Sequence, residues 1–159
     1  MPRARAGDTL AMNALLDIAA PYVRRICAAI APQQGDDATQ EALVIAFRRL
    51  RSLRDPSALR AWLRAVAVRE SLSAVRAERK EVPREDTDSI VSPDPGPAFG
   101  VELRESLREL SPEQRAVLVL RDLEGLPERE IAPLLRIAPG TVKSRLHRAR
   151  DRFRRGWRR

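Results

Sequence analysis

Apolar residues along most of this chain recur at three- and four-residue spacing, and strand-like alternation is nearly absent. A first helix is predicted from about Asp8 to Ala31, with Leu15, Ile18, Ala19, Tyr22, Val23, Ile26 and Ile30 as its apolar stripe. Pro21 falls inside it and is expected to end or kink it, because proline lacks the N–H that a helix interior needs. Pro32-Gln33-Gln34-Gly35 reads as a turn, after which Asp36 or Asp37 can cap a second helix to about Leu53. The buried side of that helix is predicted to hold Ala42, Leu43, Ala46, Phe47 and Leu50. Arg54-Asp55-Pro56-Ser57 forms a connector, with Pro56 suited to a first helical position, and a third helix follows through Leu59, Trp62, Leu63, Val66 and Ala67 to about Lys80.

The periodicity then breaks. From Glu81 to Gly100 the chain carries Pro83, Pro93, Pro95 and Pro97, two glycines and several acids. Such a stretch buries little apolar area and reads as an extended tether. Beyond it, Leu110-Ser111-Pro112-Glu113-Gln114 is a strong helix start: Ser111 caps, Pro112 takes the first turn and Gln114 closes a capping box. That helix ends near Glu124-Gly125, and Pro127 opens the next, which Pro133 is expected to kink or shorten. Arg136-Ile137-Ala138 turn the chain into a last helix, where Val142, Leu146, Ala149 and Phe153 align on one face. Lys143, Ser144 and His147, flanked by Arg145 and Arg148, lie elsewhere on it. A helix with one apolar stripe and donors along its free side suits a DNA major groove. The expected fold class is all-α: two small helical domains, at 8–80 and 103–156, joined by a flexible acidic, Pro-rich linker at 81–102. The C-terminal domain contains a helix-turn-helix.

Charge sharpens that picture. The 159 residues carry a net charge of +8, and arginine far outnumbers lysine. Arginine pairs bidentately with phosphates and guanine edges, so the bias suits a nucleic-acid partner. From Arg136 to Arg159 there are ten basic residues and one acid, whereas Glu81 to Glu102 hold six acids against Arg84 alone. Segregation of this kind marks functional zones. The arginines at 150, 152, 154, 155, 158 and 159 read as a solvated or loosely phosphate-associated tail, and Trp157 as a residue for packing or stacking.

Other chemistry is excluded by what is missing. Cys27, the only cysteine, sits among Val23, Ile26 and Ile30 and reads as a small buried residue rather than a redox centre. His147 is the only histidine, with no cysteine or second histidine to complete a metal site. Glu113, Asp122, Glu124, Glu128 and Glu130 stand beside Arg115, Arg121 and Arg129 and read as ordinary surface ion pairs. With no phosphate loop, nucleophile motif or metal cluster, neither an enzyme nor a cofactor is expected. No run reaches transmembrane length and no signal-peptide core opens the chain, so a cytoplasmic protein is expected.

The motifs resemble those of a known family, the bacterial sigma factors of the extracytoplasmic-function (ECF) type. Leu110-Ser111-Pro112-Glu113-Gln114-Arg115, Val119-Leu120-Arg121-Asp122-Leu123-Glu124-Gly125-Leu126, Glu130-Ile131-Ala132 and Gly140-Thr141-Val142-Lys143-Ser144-Arg145-Leu146 match its C-terminal promoter-binding domain in order. Asp37-Ala38-Thr39-Gln40-Glu41 resembles the acidic D-x-x-Q-E segment of its N-terminal domain. Leu59-Arg60-Ala61-Trp62-Leu63 with Val66-Ala67 resembles its R-A-W-L-x-x-I-A stretch. The resemblance implies a subunit that joins core RNA polymerase, directs initiation through −35 and −10 promoter elements, and leaves the chemistry to the polymerase.

Site residues follow from that resemblance. Thr141, Lys143, Ser144, Arg145, His147 and Arg148 would meet the −35 element, the base-facing ones specifying and the others positioning. The −10 element would fall to the connector at 50–57 and to Arg60, Arg64, Arg69 and Arg76, with Trp62 read as core rather than as a stacking platform. Asp37, Gln40 and Glu41 would dock on the basic coiled-coil helices of the polymerase β′ subunit, and the β subunit would be contacted as well. The acidic linker fits a place along the positively charged RNA-exit path. An anti-sigma factor is a further partner that the family allows. Arg136 stands where the family has a glycine, Ala138 where it has a serine cap, and Arg69 where it commonly has asparagine. The alternative reading is a stand-alone helix-turn-helix regulator that binds operators without polymerase. The Asp37-x-x-Gln40-Glu41 segment speaks against it.

Overall fold

In a computed structural model, the described residues are 8–81 and 105–157, and all their regular structure is helical. The chain divides into two compact units, Met1–Pro83 and Arg84–Arg159. Beyond Glu81 the predicted linker lies outside the described residues, as do residues 103 and 104 of the second predicted domain and Arg158 and Arg159.

The first unit packs three helices: α1 (Thr9–Ile30), α2 (Gly35–Arg49) and α3 (Leu59–Glu81). Asp8 caps α1, its carboxylate accepting from the Ala11 N–H at 3.1 Å. Pro21 does not end α1, which runs through to Ile30. The carbonyl that loses its donor belongs to Asp17, and Asp17 and Pro21 are both on the exposed side of the helix, where such a loss costs least. Burial of Ala19, Val23, Ile26, Cys27 and Ile30 on the other side holds the helix against the core. Ile18, expected in that stripe, is 77% exposed instead.

Helix α2 buries Gly35, Ala38, Thr39, Ala42 and Ala46, small side chains that let it lie close to its neighbours. A Cβ built on Gly35 would stand 2.9 Å from the Cα of Ala28 in α1, so only glycine fits there. This approach also sets where the helix starts. Gln34 precedes it without a side-chain cap, and Asp36 and Asp37 occupy the first turn, where the helix dipole favours acids, rather than capping. Two 3₁₀ turns, Leu50–Ser52 and Pro56–Ala58, lead to α3. Asp55 caps the second: its carboxylate accepts from the Ser57 N–H at 2.8 Å and the Ser57 hydroxyl at 2.6 Å. Those bonds, the hydroxyl's first, hold the Asp55 carboxyl below its ordinary range. Trp62 packs with Leu15, Leu16, Leu53 and Leu59 against buried Met12 and Leu50, a core position.

Cys27 is wholly buried, its Sγ 3.8 Å from the Ala67 carbonyl, and burial pushes the thiol's pKa up. Ser71 and Thr39 are buried nearby and bond back to the carbonyls of Ala67 and Gly35 at 2.7 and 2.6 Å, so neither hydroxyl is stranded.

In the second unit, residues 105–108 are helical and are followed by α4 (Pro112–Leu118), a π-helical turn (Val119–Leu123), α5 (Glu128–Leu135) and α6 (Pro139–Trp157). The capping box is built as expected: the Ser111 hydroxyl accepts from the Gln114 N–H at 3.2 Å, and the Gln114 carbonyl accepts from the Ser111 N–H at 3.0 Å. Ser111→Ala is expected to cost this unit about 1 kcal/mol, read from urea denaturation of the full chain. Leu120, Ile131 and Val142 are fully buried where α5 and α6 meet the turn. Arg115 departs from the expected surface ion pairs, since it is only 6% exposed. Its Nη1 donates to the carbonyls of Leu110 at 2.6 Å and Leu107 at 3.2 Å. A buried guanidinium thus satisfies the end of the preceding helical turn.

The turn between α5 and α6 has a left-handed residue, Arg136, at φ 55° and ψ 46°. Its N–H donates to Pro133 at 3.2 Å and that of Ile137 to Ala132 at 3.0 Å, the paired bonds of a Schellman ending. Pro133 is exposed within α5, which still reaches Leu135. Since a side chain at positive φ is strained, Arg136→Gly is expected to raise the unit's stability by about 0.5–1 kcal/mol, checked by thermal unfolding.

Candidate functional site

The last helix begins without a side-chain cap. Ala138 offers only its carbonyl, which accepts from the N–H groups of Thr141 at 2.9 Å and Val142 at 3.2 Å, while Pro139 presets the first turn. Burial of Val142, Leu146 and Ala149 fixes its rotation. Lys143, Ser144, His147 and Arg148 then share the exposed side, with Thr141 and Arg145 half-buried at its margins. All six candidate −35 residues therefore fall on one side of one helix. Two of them are already engaged with the helix itself. The Ser144 hydroxyl donates to the Thr141 carbonyl at 3.1 Å, and Arg148 donates through Nε to the Ser144 carbonyl at 3.3 Å and through Nη2 to its hydroxyl at 3.4 Å. Five guanidinium donors leave Arg148 three for a phosphate or base.

Several arginines read as a solvated tail are tied down. Arg150 forms a two-point pair with Asp122, Arg155 pairs with Asp151 at 2.7 Å, and Arg154 donates to the Arg150 carbonyl at 3.2 Å. Arg152 is exposed. No three His, Cys, Asp or Glu side chains among the described residues are grouped to hold a metal ion.

In the first unit Asp37, Gln40 and Glu41 are all exposed and share one side of α2. Asp36, one position off that ridge, pairs instead with Arg24 of α1 at 3.0 Å. The ridge is longer than its acids suggest. Val44 and Phe47, 38% and 49% exposed, continue it toward Arg48, and Phe47 borders a shallow recess with Thr9, Met12 and Arg51. Phe47 had been expected in the core. It falls seven residues after Gln40, two full turns, and that spacing was the available signal.

The four candidate −10 arginines do not form one surface. Arg60 and Arg64 lie four apart on one side of α3, while Arg69 and Arg76 lie seven apart on the other, beside exposed Arg79 and Lys80. Arg60 is stacked over the Tyr22 ring, its guanidinium carbon 5.0 Å from the centroid, and Arg25 approaches the same ring at 5.8 Å. Arg64 is half-buried. Arg69 pairs with Glu70 at 3.0 Å and is itself exposed. Arg79 and Lys80 end the predicted helix, where basic residues are common for dipole reasons alone, so they carry no separate signal in the sequence.

Among the described residues the structure is all helical, and a helix-turn-helix whose last helix is apolar inside and cationic outside defines the DNA-binding class of protein. The family model of Sigma-70 region 2 matches residues 15–81, and that of Sigma-70, region 4 matches residues 100–153. The ECF RNA polymerase sigma factor SigE of Mycolicibacterium smegmatis is 34% identical over 163 residues, covering 93% of this chain and 63% of that one. The ECF RNA polymerase sigma-E factor of Escherichia coli is 31% identical over 168 residues, covering 94% and 87%. Among solved structures, the sigma factor RpoE in complex with the anti-sigma factor NepR from Bartonella quintana superposes with a TM-score of 0.73 at 25% identity, covering 92% of this chain and 96% of that one. CnrH, solved with the cytosolic domain of CnrY, shares the fold with a TM-score of 0.62 at 22% identity, covering 96% and 90%. The chain belongs to the ECF sigma factors of the sigma-70 family, subunits that bind core RNA polymerase and direct initiation at promoters.

Proposed function

We propose that the two units divide this work by residue. In the domain at 8–80, Asp37, Gln40 and Glu41, extended by Val44 and Phe47, dock on the basic β′ coiled coil of core polymerase. The cationic side of α3, with Arg69 and Arg76, tracks the −10 strand, while Arg60 and Arg64 brace the start of that helix beside the connector. In the domain at 103–156, Lys143, Ser144 and His147 face −35 bases, and Thr141, Arg145 and Arg148 hold the flanking phosphates. The chain also contacts the β subunit of core polymerase, and the segment at 81–102 is the tether between the domains. The observation that carries this reading is the difference in character between two exposed faces, an acidic–apolar ridge on α2 and a cationic helix in the helix-turn-helix. Proteins dock on the first and nucleic acid on the second.

The chain supplies recognition, and catalysis with its metal ions belongs to the polymerase. It works in the cytoplasm with the polymerase; no helix among the described residues is long and apolar enough to cross a membrane. An anti-sigma factor is a further partner, supported by the relative RpoE having been solved with one. Run-off transcription with purified core polymerase and a promoter library randomised at −35 and −10 tests the whole reading. Initiation from a selected subset, lost when this chain is omitted, is the expected result. Operator binding without polymerase association would favour a stand-alone regulator.

A further inference from the structure

The Arg150–Asp122 pair joins residues 28 apart in sequence, one on α6 and one on the π-helical turn after α4. Nη2 donates to Oδ1 at 2.5 Å and Nε to Oδ2 at 3.2 Å, the side-on fork in which arginine binds carboxylate most specifically. Both side chains stay partly exposed, 45% and 44%, so the pair sits at the rim and not in the core. The hydrogen bond to Asp122 raises the arginine's pKa, and the nearby charge of Glu128 acts in the same direction. Neighbouring Arg148 and Arg154 bond only to their own helix. Arg150 is thus the described basic residue of α6 whose guanidinium is clasped to another element. It stands two turns beyond Lys143, where a small swing of the helix moves the base-facing side chains most.

We propose that Asp122 is a positioning residue for DNA recognition: by clasping Arg150 it fixes α6 against the π-helical turn that follows α4 and withdraws that charge from the phosphate-binding set. The proposal rests on the reading of α6 as the −35 helix. Base contacts discriminate only when the helix is held still, whereas a free flanking cation attracts every sequence alike. Clasping one cation therefore gains selectivity at the expense of total attraction.

The test uses full-length chain assembled with core polymerase. Binding is measured over a salt series to the duplex this holoenzyme selects from a −35-randomised library, and to a scrambled duplex of equal length. Arg150→Gln is expected to leave the slope of log K against log salt unchanged and to lower the preference for the selected duplex about tenfold. Asp122→Asn is expected to steepen the slope by about 0.9, one phosphate contact, as Arg150 is freed. Its preference falls similarly, and adding Arg150→Gln to it restores the original slope. Loosened packing alone does not change the number of phosphates neutralised, so the slope separates positioning from a merely structural role. A slope reduced by about 0.9 in Arg150→Gln would make Arg150 a phosphate contact and overturn the proposal. Unchanged preference in both single variants would overturn it as well. If the unaltered holoenzyme selects no −35 sequence at all, the reading of α6 fails first.

Discussion

Gly35→Ala unfolds the first unit at markedly lower denaturant, with an expected loss of about 2–3 kcal/mol. The added methyl would stand 2.9 Å from the Cα and 3.2 Å from the N of Ala28, both backbone atoms. No rotamer change relieves such a contact, so α1 and α2 must separate, and the small-residue seam of Ala38, Ala42 and Ala46 opens with them. A domain of this size has only several kcal/mol of stability in total, so half of it is at stake. Because α2 also presents Asp37, Gln40 and Glu41, polymerase affinity should fall in parallel. Gly140→Ala is the matched control. A Cβ there meets nothing within 4 Å, so the same substitution should be neutral or stabilise α6 by about 0.5–1 kcal/mol. Equal denaturation midpoints for Gly35→Ala and the unaltered chain would show that the helices are not held this closely.

What could be read in advance was whatever depends on neighbours a few residues away. The Ser111–Gln114 box, the turn through Arg136 and the buried stripe Val142, Leu146 and Ala149 are all local, and each is present. Long-range packing was not legible. Periodicity says that α1 and α2 are helices with apolar sides, but not how wide an arc their neighbours cover. Ile18 and Phe47 lie at the edges of those arcs and come out exposed. Arg115 reads as a surface residue because arginine usually is one. Its burial depends on two carbonyls five and eight residues back that need a donor. The pairing of Arg150 with Asp122 leaves no trace in the spacing of either helix, and glycine at position 35 has the same look whether it makes a turn or a close crossing. The four arginines of α3 share a composition but not a face, which the register 60, 64, 69 and 76 contains in principle.

The mixed character of the α2 ridge has its own consequence. Charge alone would give docking that salt readily dissolves, since exposed groups are screened beyond about 8 Å at physiological ionic strength. Val44 and Phe47 add apolar area to the same side, and burying an exposed aromatic contributes without salt dependence. On the proposed docking, the acids would serve orientation and encounter, and the apolar pair residence.

Glu41→Lys should accordingly weaken assembly with core RNA polymerase at least tenfold, about 1.4 kcal/mol, and most strongly at low salt. Glu41 is exposed on α2, so reversing it brings a cation against a basic partner without disturbing the fold. The stability of the free chain, read from urea denaturation, should change by no more than a surface substitution does, about 0.5 kcal/mol. Asp36→Asn is the control for charge that is near but not on the ridge. That carboxylate is already paired with Arg24, and its loss should leave polymerase affinity within twofold. Phe47→Ala separates the two contributions, with an expected loss in affinity that persists at high salt and shows in the dissociation rate. Competition against a labelled sigma factor for a fixed amount of core enzyme measures all three. If Glu41→Lys and Phe47→Ala both compete as well as the unaltered chain, the docking surface is not this side of α2. If only Phe47→Ala fails, the apolar half of the ridge carries the affinity and the acids set no more than the approach.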